Sequence, residues 1–426
     1  MNRNLLTLAI ASALAMPAAQ AIDLGNGVSV KGFGTVGMVH SNNSDADYTL
    51  NLLQPTKGVG RSSDTTYRLD TKAGLQLDWL ASDNISFTGQ VISKLRYDRT
   101  WTPDMALAFV KFKIAPDVDV RAGRLRPPVY MLSDYLDVNY ANTWVRPPVE
   151  FYSAAPVDHM EGVDVLWRPS TGDLTWLVQP YIGSSRLDAP EGAEFELDKL
   201  IGLNVTTTLG DLTLRAGYLA SEMTIHSDGI KGAINALTDP AGLCGLDPVA
   251  CRQGYSLDPD AKDVSFASLG AAWDNGQYFV SGEWGHRTLR NLLSDTTAWY
   301  VTGGTRIGKW TPYITYANSK NDSPNSFSGS DSAVVVPPGV PAGAVINGLV
   351  TALRQSNAMD QQTASLGVRY DLNKNVALKT QWDHVMTDCS SPSAGTCDGT
   401  FANQKPGFDN KSQEVDLISA SIDYRF

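Results

Sequence analysis

From residue 28 onward, apolar and polar residues alternate with a period of two in segment after segment. In one segment Leu69, Thr71, Ala73, Leu75, Leu77 and Trp79 share a face, opposite Arg68, Asp70, Lys72, Gln76 and Asp78. In the next, Ile85, Phe87, Gly89, Val91 and Leu95 oppose Asn84, Ser86, Thr88, Gln90, Lys94 and Arg96. Successive side chains of a strand point to opposite faces, so this pattern predicts strands with one apolar face. About sixteen such segments follow one another, at 28–39, 68–80, 84–97, 104–114, 117–126, 159–168, 173–183, 199–209, 211–222, 263–273, 277–288, 297–307, 309–319, 361–371, 375–386 and 413–426. Their lengths suit the ~9–11 residues with which a tilted strand crosses a bilayer. Pro180 and Pro312 are expected near strand ends, where a missing backbone donor is tolerated.

The connections carry a second pattern. Short turns at 81–83, 115–116, 169–172, Gly210, 274–276, Gly308 and 372–374 alternate with loops at 40–67, 98–103, 127–158, 184–198, 223–262, 289–296, 320–360 and 387–412. Strict alternation puts every long loop on one rim. That asymmetry predicts an all-β fold, a transmembrane antiparallel up-and-down β-barrel of about 16 strands. Trp79, Trp167, Trp273 and Trp310 sit on the apolar face close to short turns, as an interfacial girdle would. The uncharged stretch 333–353 contains Pro337, Pro338, Pro341, Gly339, Gly343 and Gly348, so it reads as a loop that packs against a neighbour or caps the barrel.

Composition narrows the picture. Residues 1–21 read as a cleaved signal peptide, with Arg3, an apolar core from Leu5 to Met16 and Ala19-Gln20-Ala21 as the cleavage site. Residues 22–426 then form a single barrel. In an exported chain the four cysteines read as two local disulfides, Cys244 with Cys251 and Cys389 with Cys397. A net charge of −11 excludes nucleic acid as a natural partner. Gly32-Phe33-Gly34-Thr35-Val36-Gly37 fits the dinucleotide fingerprint, but that motif must open a helix, and here it runs on into Ser41-Asn42-Asn43-Ser44-Asp45. The five histidines, at 40, 159, 226, 286 and 384, are scattered with no cysteine beside them. Neither metal, cofactor nor enzymatic activity is expected.

The last segment is Ile418-Ser419-Ala420-Ser421-Ile422-Asp423-Tyr424-Arg425-Phe426. An alternating strand ending in Tyr424, one residue and Phe426 resembles the Gram-negative outer-membrane porins, and the strand count and loop rhythm extend the resemblance over the mature chain. The resemblance implies an outer-membrane location and contact with lipid and lipopolysaccharide. It also implies a homotrimer, with Tyr424 and Phe426 as the signal read by the barrel-assembly machinery. It further implies that the third external loop, here 127–158, folds inward as a constriction whose acids face a basic wall.

Charge is segregated in the residues themselves. Arg68, Lys72, Lys94, Arg96, Lys111, Lys113, Arg121, Arg124 and Arg126 gather before or at the start of 127–158. That loop is framed by Arg126-Pro127-Pro128 and Arg146-Pro147-Pro148, and carries Asp134, Asp137 and Glu150 with Arg146 as its base. Asp158 closes the loop and Glu161 follows it. These thirteen residues, Asp158 and Glu161 excluded, are the candidate constriction and selectivity set. The loop 184–198 is acidic (Asp188, Glu191, Glu194, Glu196 and Asp198 against Arg186), so the cues to cation or anion preference oppose one another. The expected function is a water-filled channel for passive diffusion of small hydrophilic solutes and ions. A channel selective for an anion is the alternative, with a barrel enzyme or an adhesin as rivals of another class.

Overall fold

A computed structural model describes residues 21–51, 57–289, 295–322, 329–355, 360–388, 399–408 and 411–426. The signal-peptide reading, apart from Ala21, lies outside these residues. Sixteen strands form the barrel. They are β1 (Val28–Ser41), β2 (Lys72–Ser82), β3 (Ile85–Lys94), β4 (Asp104–Ala115), β5 (Val118–Leu125) and β6 (Met160–Trp167). Next come β7 (Leu174–Asp188), β8 (Glu194–Leu209), β9 (Leu212–His226), β10 (Lys262–Asp274) and β11 (Tyr278–Thr288). The set ends with β12 (Thr296–Thr305), β13 (Trp310–Asn321), β14 (Gln361–Asn373), β15 (Val376–Thr387) and β16 (Glu414–Arg425). Each pairs antiparallel with the next. The seam closes where β1 meets β16, from Phe33 opposite Arg425 to Ser41 opposite Leu417.

Burial runs opposite to that of a water-soluble sheet. On β2, Leu75, Leu77 and Trp79 are exposed while Lys72, Gln76 and Asp78 between them are partly covered. On β16, Ser419, Ser421 and Asp423 are buried and Ile418 is exposed. An apolar outside facing lipid and a polar inside account for that inversion. The tryptophans 79, 167, 273 and 310 are all exposed on the outer face, so they are not core residues. The short turns use glycine where the chain needs a left-handed residue, as at Gly210 (φ 55°) and Gly276 (φ 88°).

The fingerprint-like glycines of β1 have a steric role. A Cβ at Gly32 would come within 2.2 Å of the Phe426 ring, and one at Gly34 within 2.5 Å of Tyr424. They are seats for the aromatics of the closing strand, which explains the motif without a nucleotide.

Three local expectations need correcting. The stretch 333–353 is not simply a loop, because α5 occupies Ala342–Gln355. Pro341 precedes its first turn, where a missing N–H costs nothing. Ile346, Val350 and Leu353 form a stripe buried against Leu237, Ala250 and Leu257. Those three belong to the loop after β9, which folds into helices α2 (Asp228–Thr238), α3 (Leu243–Leu246) and α4 (Pro248–Ser256). The numbering leaves α1 for Val149–Tyr152. Among the described residues no helix is long and apolar enough to cross a membrane.

The acidic region 184–198 is mostly strand, since β7 and β8 continue past the barrel as a hairpin in which Arg186 pairs with Glu194 (3.1 Å) and Glu196 (2.5 Å). Pro180 stands well inside β7, not near its end. The β6–β7 ladder lapses between Asp164–Tyr181 and Trp167–Val178, so the missing donor falls where no bond is formed.

Of the two expected disulfides, the structure describes one. Cys244 and Cys251 are bonded, joining α3 to α4. The expected disulfide between Cys389 and Cys397 is not described, because Cys389 and Cys397 both lie outside the described residues.

Candidate functional site: the segment 127–158 and its wall

The segment leaves β5 through Arg126-Pro127-Pro128 and makes two short 3-10 turns, Ser133–Tyr135 and Asn139–Ala141. It then passes Arg146-Pro147-Pro148 into the single turn of α1. It is held mainly by strands far away in sequence. Met131 N–H donates to Glu283 of β11 (2.8 Å), and Trp144 Nε1 to Thr315 of β13 (2.9 Å). Val145 N–H donates to Gln381 of β15 (3.0 Å). Glu150 accepts from Gln361 (2.6 Å) and from Thr363, both on β14. These wall partners are all buried, and they occupy the strand phase opposite to the exposed apolar one.

Four basic wall residues that the sequence reading did not single out grip backbone carbonyls of the segment. Lys379 donates to Asn139 O (2.6 Å) and Trp144 O (2.9 Å). Arg369 donates to Tyr140 O (2.7 Å) and Asn142 O (2.9 Å). Arg287 holds Ala154 O (2.9 Å) and Arg215 holds Pro128 O. Their signal was present as bases in the polar phase of β9, β11, β14 and β15, but nothing local says that a base will meet a carbonyl 87 to 240 residues away.

Apolar packing accompanies these bonds. Tyr181, Leu200, Leu219, Phe266, Phe279, Tyr300 and Tyr313, one from each strand from β7 to β13, cluster with Val129, Tyr130, Trp144 and Phe151 of the segment. Fully burying such a side chain contributes ~1.5–3 kcal/mol. Tyr130 packs against Phe151, Tyr152 and Phe266 at ring-centroid distances of 5.2, 4.9 and 5.8 Å.

Two ionic centres result. Asp137 lies 2.7 Å from Arg126, 3.2 Å from Lys94 and 3.7 Å from Lys72. Burial alone would raise its pKa, but Lys94, Arg126 and Lys72 hold the carboxyl well below the usual range. The family resemblance implied acids facing bases; at Asp137 they are in direct contact, three bases to one acid. In the second centre Arg146 donates to Asp70 (3.0 and 2.8 Å), Asp383 (2.7 Å) and Ser419 (2.7 Å). Asp70 and Asp383 were not among the candidates. Burial raises the pKa of Glu150, against the hydrogen bonds from Thr363 and Gln361.

The remaining candidates are dispersed. Arg121 forms a two-pronged pair with Asp164 on β6, joined by Gln179. Asp134 is exposed and forms no ion pair among the described residues, yet its field reaches Arg121 and Arg126. Lys111 and Lys113 lie in the polar phase of β4, alternating with the exposed Phe112 and Ile114, and make no ion pair among the described residues. Arg96 sits at the rim, 4.0 Å from Asp104 and 3.6 Å from Asp188. Arg68 is exposed and donates to Arg99 O (2.7 Å). Arg124 does not line the interior. It is in register with Glu161, which it meets at 2.5 Å, in the outward phase shared with Val163 and Trp167. Because Arg121, Gly123 and Leu125 take the inner phase of β5, Arg124 takes the outer.

A closed barrel of this strand number, apolar outside and polar within, defines a membrane β-barrel channel. The family model described as Gram-negative porin matches residues 6–389. The chain belongs to that family, and it is an outer-membrane channel for small hydrophilic solutes. A search of curated protein sequences finds no match.

Among solved structures the chain is similar to the outer-membrane channel DcaP of Acinetobacter baumannii (12% identity, TM-score 0.55, covering 96% of this chain and 100% of that one). It is similar to an anion-selective porin from Comamonas acidovorans (14%, TM-score 0.51, 94% and 99%). It is also similar to a trimer form of in-vitro folded OmpT, an outer-membrane protein of Vibrio cholerae (14%, TM-score 0.51, 94% and 99%). At these identities the likeness concerns the fold.

Proposed function

We propose that residues 127–158 cross the lumen as the constriction of this channel, and that solutes pass along the basic wall of β2–β5, beside the contact of Asp137 with Lys72 and Lys94. The supporting observation is the hydrogen bonding of one segment to inner-phase residues on strands β9 to β16. Ties to all of them support a path across the interior. The dry aromatic cluster fills the side near β7–β13, which leaves water to the side where Lys72, Lys94 and Arg121 stand.

The polar groups there are unequal in charge, with Lys72, Lys94 and Arg126 against Asp137. A constriction with surplus positive charge favours anions, and the acidic hairpin opposes it only in part, because Glu194 and Glu196 share Arg186. The channel therefore prefers small anions while still passing neutral solutes. Assembly as a homotrimer fits the trimer form of a fold relative. The outward apolar band faces lipid, the charged rim faces lipopolysaccharide, and the strand ending in Tyr424 and Phe426 is taken by the barrel-assembly machinery.

The test is a planar bilayer under a salt gradient. Pure protein gives stepwise conductance with an anion-preferring reversal potential, and Lys94→Glu with Arg96→Glu moves that potential toward cations. An unmoved potential would show that permeant ions do not pass this wall. Heat-modifiable migration on a gel reads the trimer; a monomer before heating contradicts it.

A further inference from the structure

We infer that the external vestibule above Asp137 is a binding site for small organic carboxylates carrying an apolar body, so that the channel holds such anions as well as passing them. The inference rests on the reading of 127–158 as the constriction and adds a ligand class to it.

The cavity there measures about 270 Å³ and opens to the outside. Drug-sized ligands occupy pockets from ~300 Å³ upward, so the space suits a smaller molecule and not an oligosaccharide. Its floor is the Asp137 centre, where three bases are in contact with one acid. Most other charged side chains around it are already engaged with partners. Asp158 is bonded to His159 (2.7 Å), Arg146 to Asp70 and Asp383, and Arg96 lies between Asp104 and Asp188. Lys94 is different. Its side chain remains 40% exposed, against 15% for Lys72 and 8% for Arg126. A carboxylate arriving from outside meets the Lys94 ammonium first, with the fields of Lys72 and Arg126 behind it.

The walls are chemically unlike the floor. Leu50, Tyr97, Leu136, Tyr152 and Val157 line the cavity and are only half-buried, so part of their apolar surface faces it. A simple inorganic anion uses the floor but gains nothing from these walls. A carbon skeleton covers them and releases their ordered water. A cation meets the Lys94 ammonium where it would need an acceptor, and a neutral aromatic lacks the floor contact. The combination selects an anion at one end and an apolar body at the other.

Isothermal titration of the detergent-solubilised full-length protein tests this with benzoate, acetate, benzyl alcohol and benzylammonium. Benzoate is expected to bind at least ~10-fold more tightly than each of the others, since every ~1.4 kcal/mol of added contact is tenfold in affinity. Lys94→Gln is expected to weaken benzoate by ~10-fold and leave benzyl alcohol unchanged, as befits loss of one charge-assisted contact. Leu136→Gln is expected to bring benzoate down toward acetate. Retained heat-modifiable migration certifies that each variant is folded.

Benzoate binding no better than acetate, equal binding of benzylammonium, or benzoate affinity untouched by both substitutions overturns the inference. Bilayer conductance is recorded in parallel. Conductance without benzoate preference sinks the binding site alone, whereas benzoate preference without conductance sinks the channel reading alone.

Discussion

Arg146→Met removes the base that fastens the far end of 127–158 to the wall. The side chain is 5% exposed, and its partners Asp70 and Asp383 are 2% and 4% exposed. Methionine fills much of the volume but leaves both carboxylates without their shared cation, and Ser419 without its donor. Breaking a buried pair by deleting one partner costs ~3–5 kcal/mol.

The barrel as a whole is not expected to unfold, because strand pairing is untouched and Lys379 and Arg369 still hold four carbonyls of the segment. The cost appears as local opening. At ~1.4 kcal/mol per factor of ten, opening of residues 139–150 becomes roughly 10²- to 4 × 10³-fold more frequent. Hydrogen–deuterium exchange measures it directly, with amide protection falling in 139–150 and not in β7–β10. Single-channel records should show a noisier current. Arg146→Lys, which keeps the charge but loses the two-pronged contact with Asp70, should fall between. Unchanged exchange of 139–150 in Arg146→Met would falsify the view that this ion cluster holds the segment.

Three further outcomes are expected. Asp137→Asn leaves three bases together without their acid, so the reversal potential moves further toward anions, by ~5-fold or less in permeability ratio for one partly solvated charge. The depressed pKa of Asp137 keeps it ionised as pH falls toward 4, so its contribution is full above the unfolded value and is lost only when pH drops through the folded one. Glu150 has the opposite sign. Its raised pKa means that its contribution is full below the ordinary 4.5 and is lost as pH rises through the folded value. Glu150→Gln, which keeps an acceptor for Gln361 and Thr363, should abolish that decline in thermal unfolding curves, and Glu150→Ala should lower stability at every pH. Non-reducing peptide mapping should recover Cys244 joined to Cys251, and replacing both by serine should loosen α3 and α4 without altering conductance. The same map tests the second expected bridge, with recovery of Cys389 joined to Cys397 as the supporting result and a free thiol at Cys397 as the contrary one.

Much of the barrel was legible because each strand declares its two faces locally. Leu75, Leu77 and Trp79 against Lys72, Gln76 and Asp78 need no knowledge of the rest of the chain. The segment between the two Arg-Pro-Pro triplets was legible as an interruption, and the meeting of Asp137 with Lys72 and Lys94 follows from charge segregation close in sequence. Its other partners were not legible. Asp383, Gln381, Thr363 and Lys379 look like ordinary inner-wall residues, and only closure of the barrel brings them to Arg146, Val145, Glu150 and Asn139. Arg124 was misplaced for a simpler reason, since phase counted from Arg121 puts it outside. In α5 the prolines and glycines of 333–353 hid a helix that starts after the last proline, and its apolar stripe finds its cover on α2 and α4.

The glycine seats at Gly32 and Gly34 bear on how the barrel comes to exist at all. They receive the Phe426 and Tyr424 rings, and Thr35 beside them bonds Asp423 at 2.7 Å across 388 residues of chain. Until that contact forms, β1 and β16 each present an unpaired edge, the kind of template on which strands of other chains add. Contacts so distant in sequence are slow to find. The two glycines therefore guard the interval before closure. Filling either one would push a ring off its seat and weaken the contact on which closure, and the end of open edges, depends.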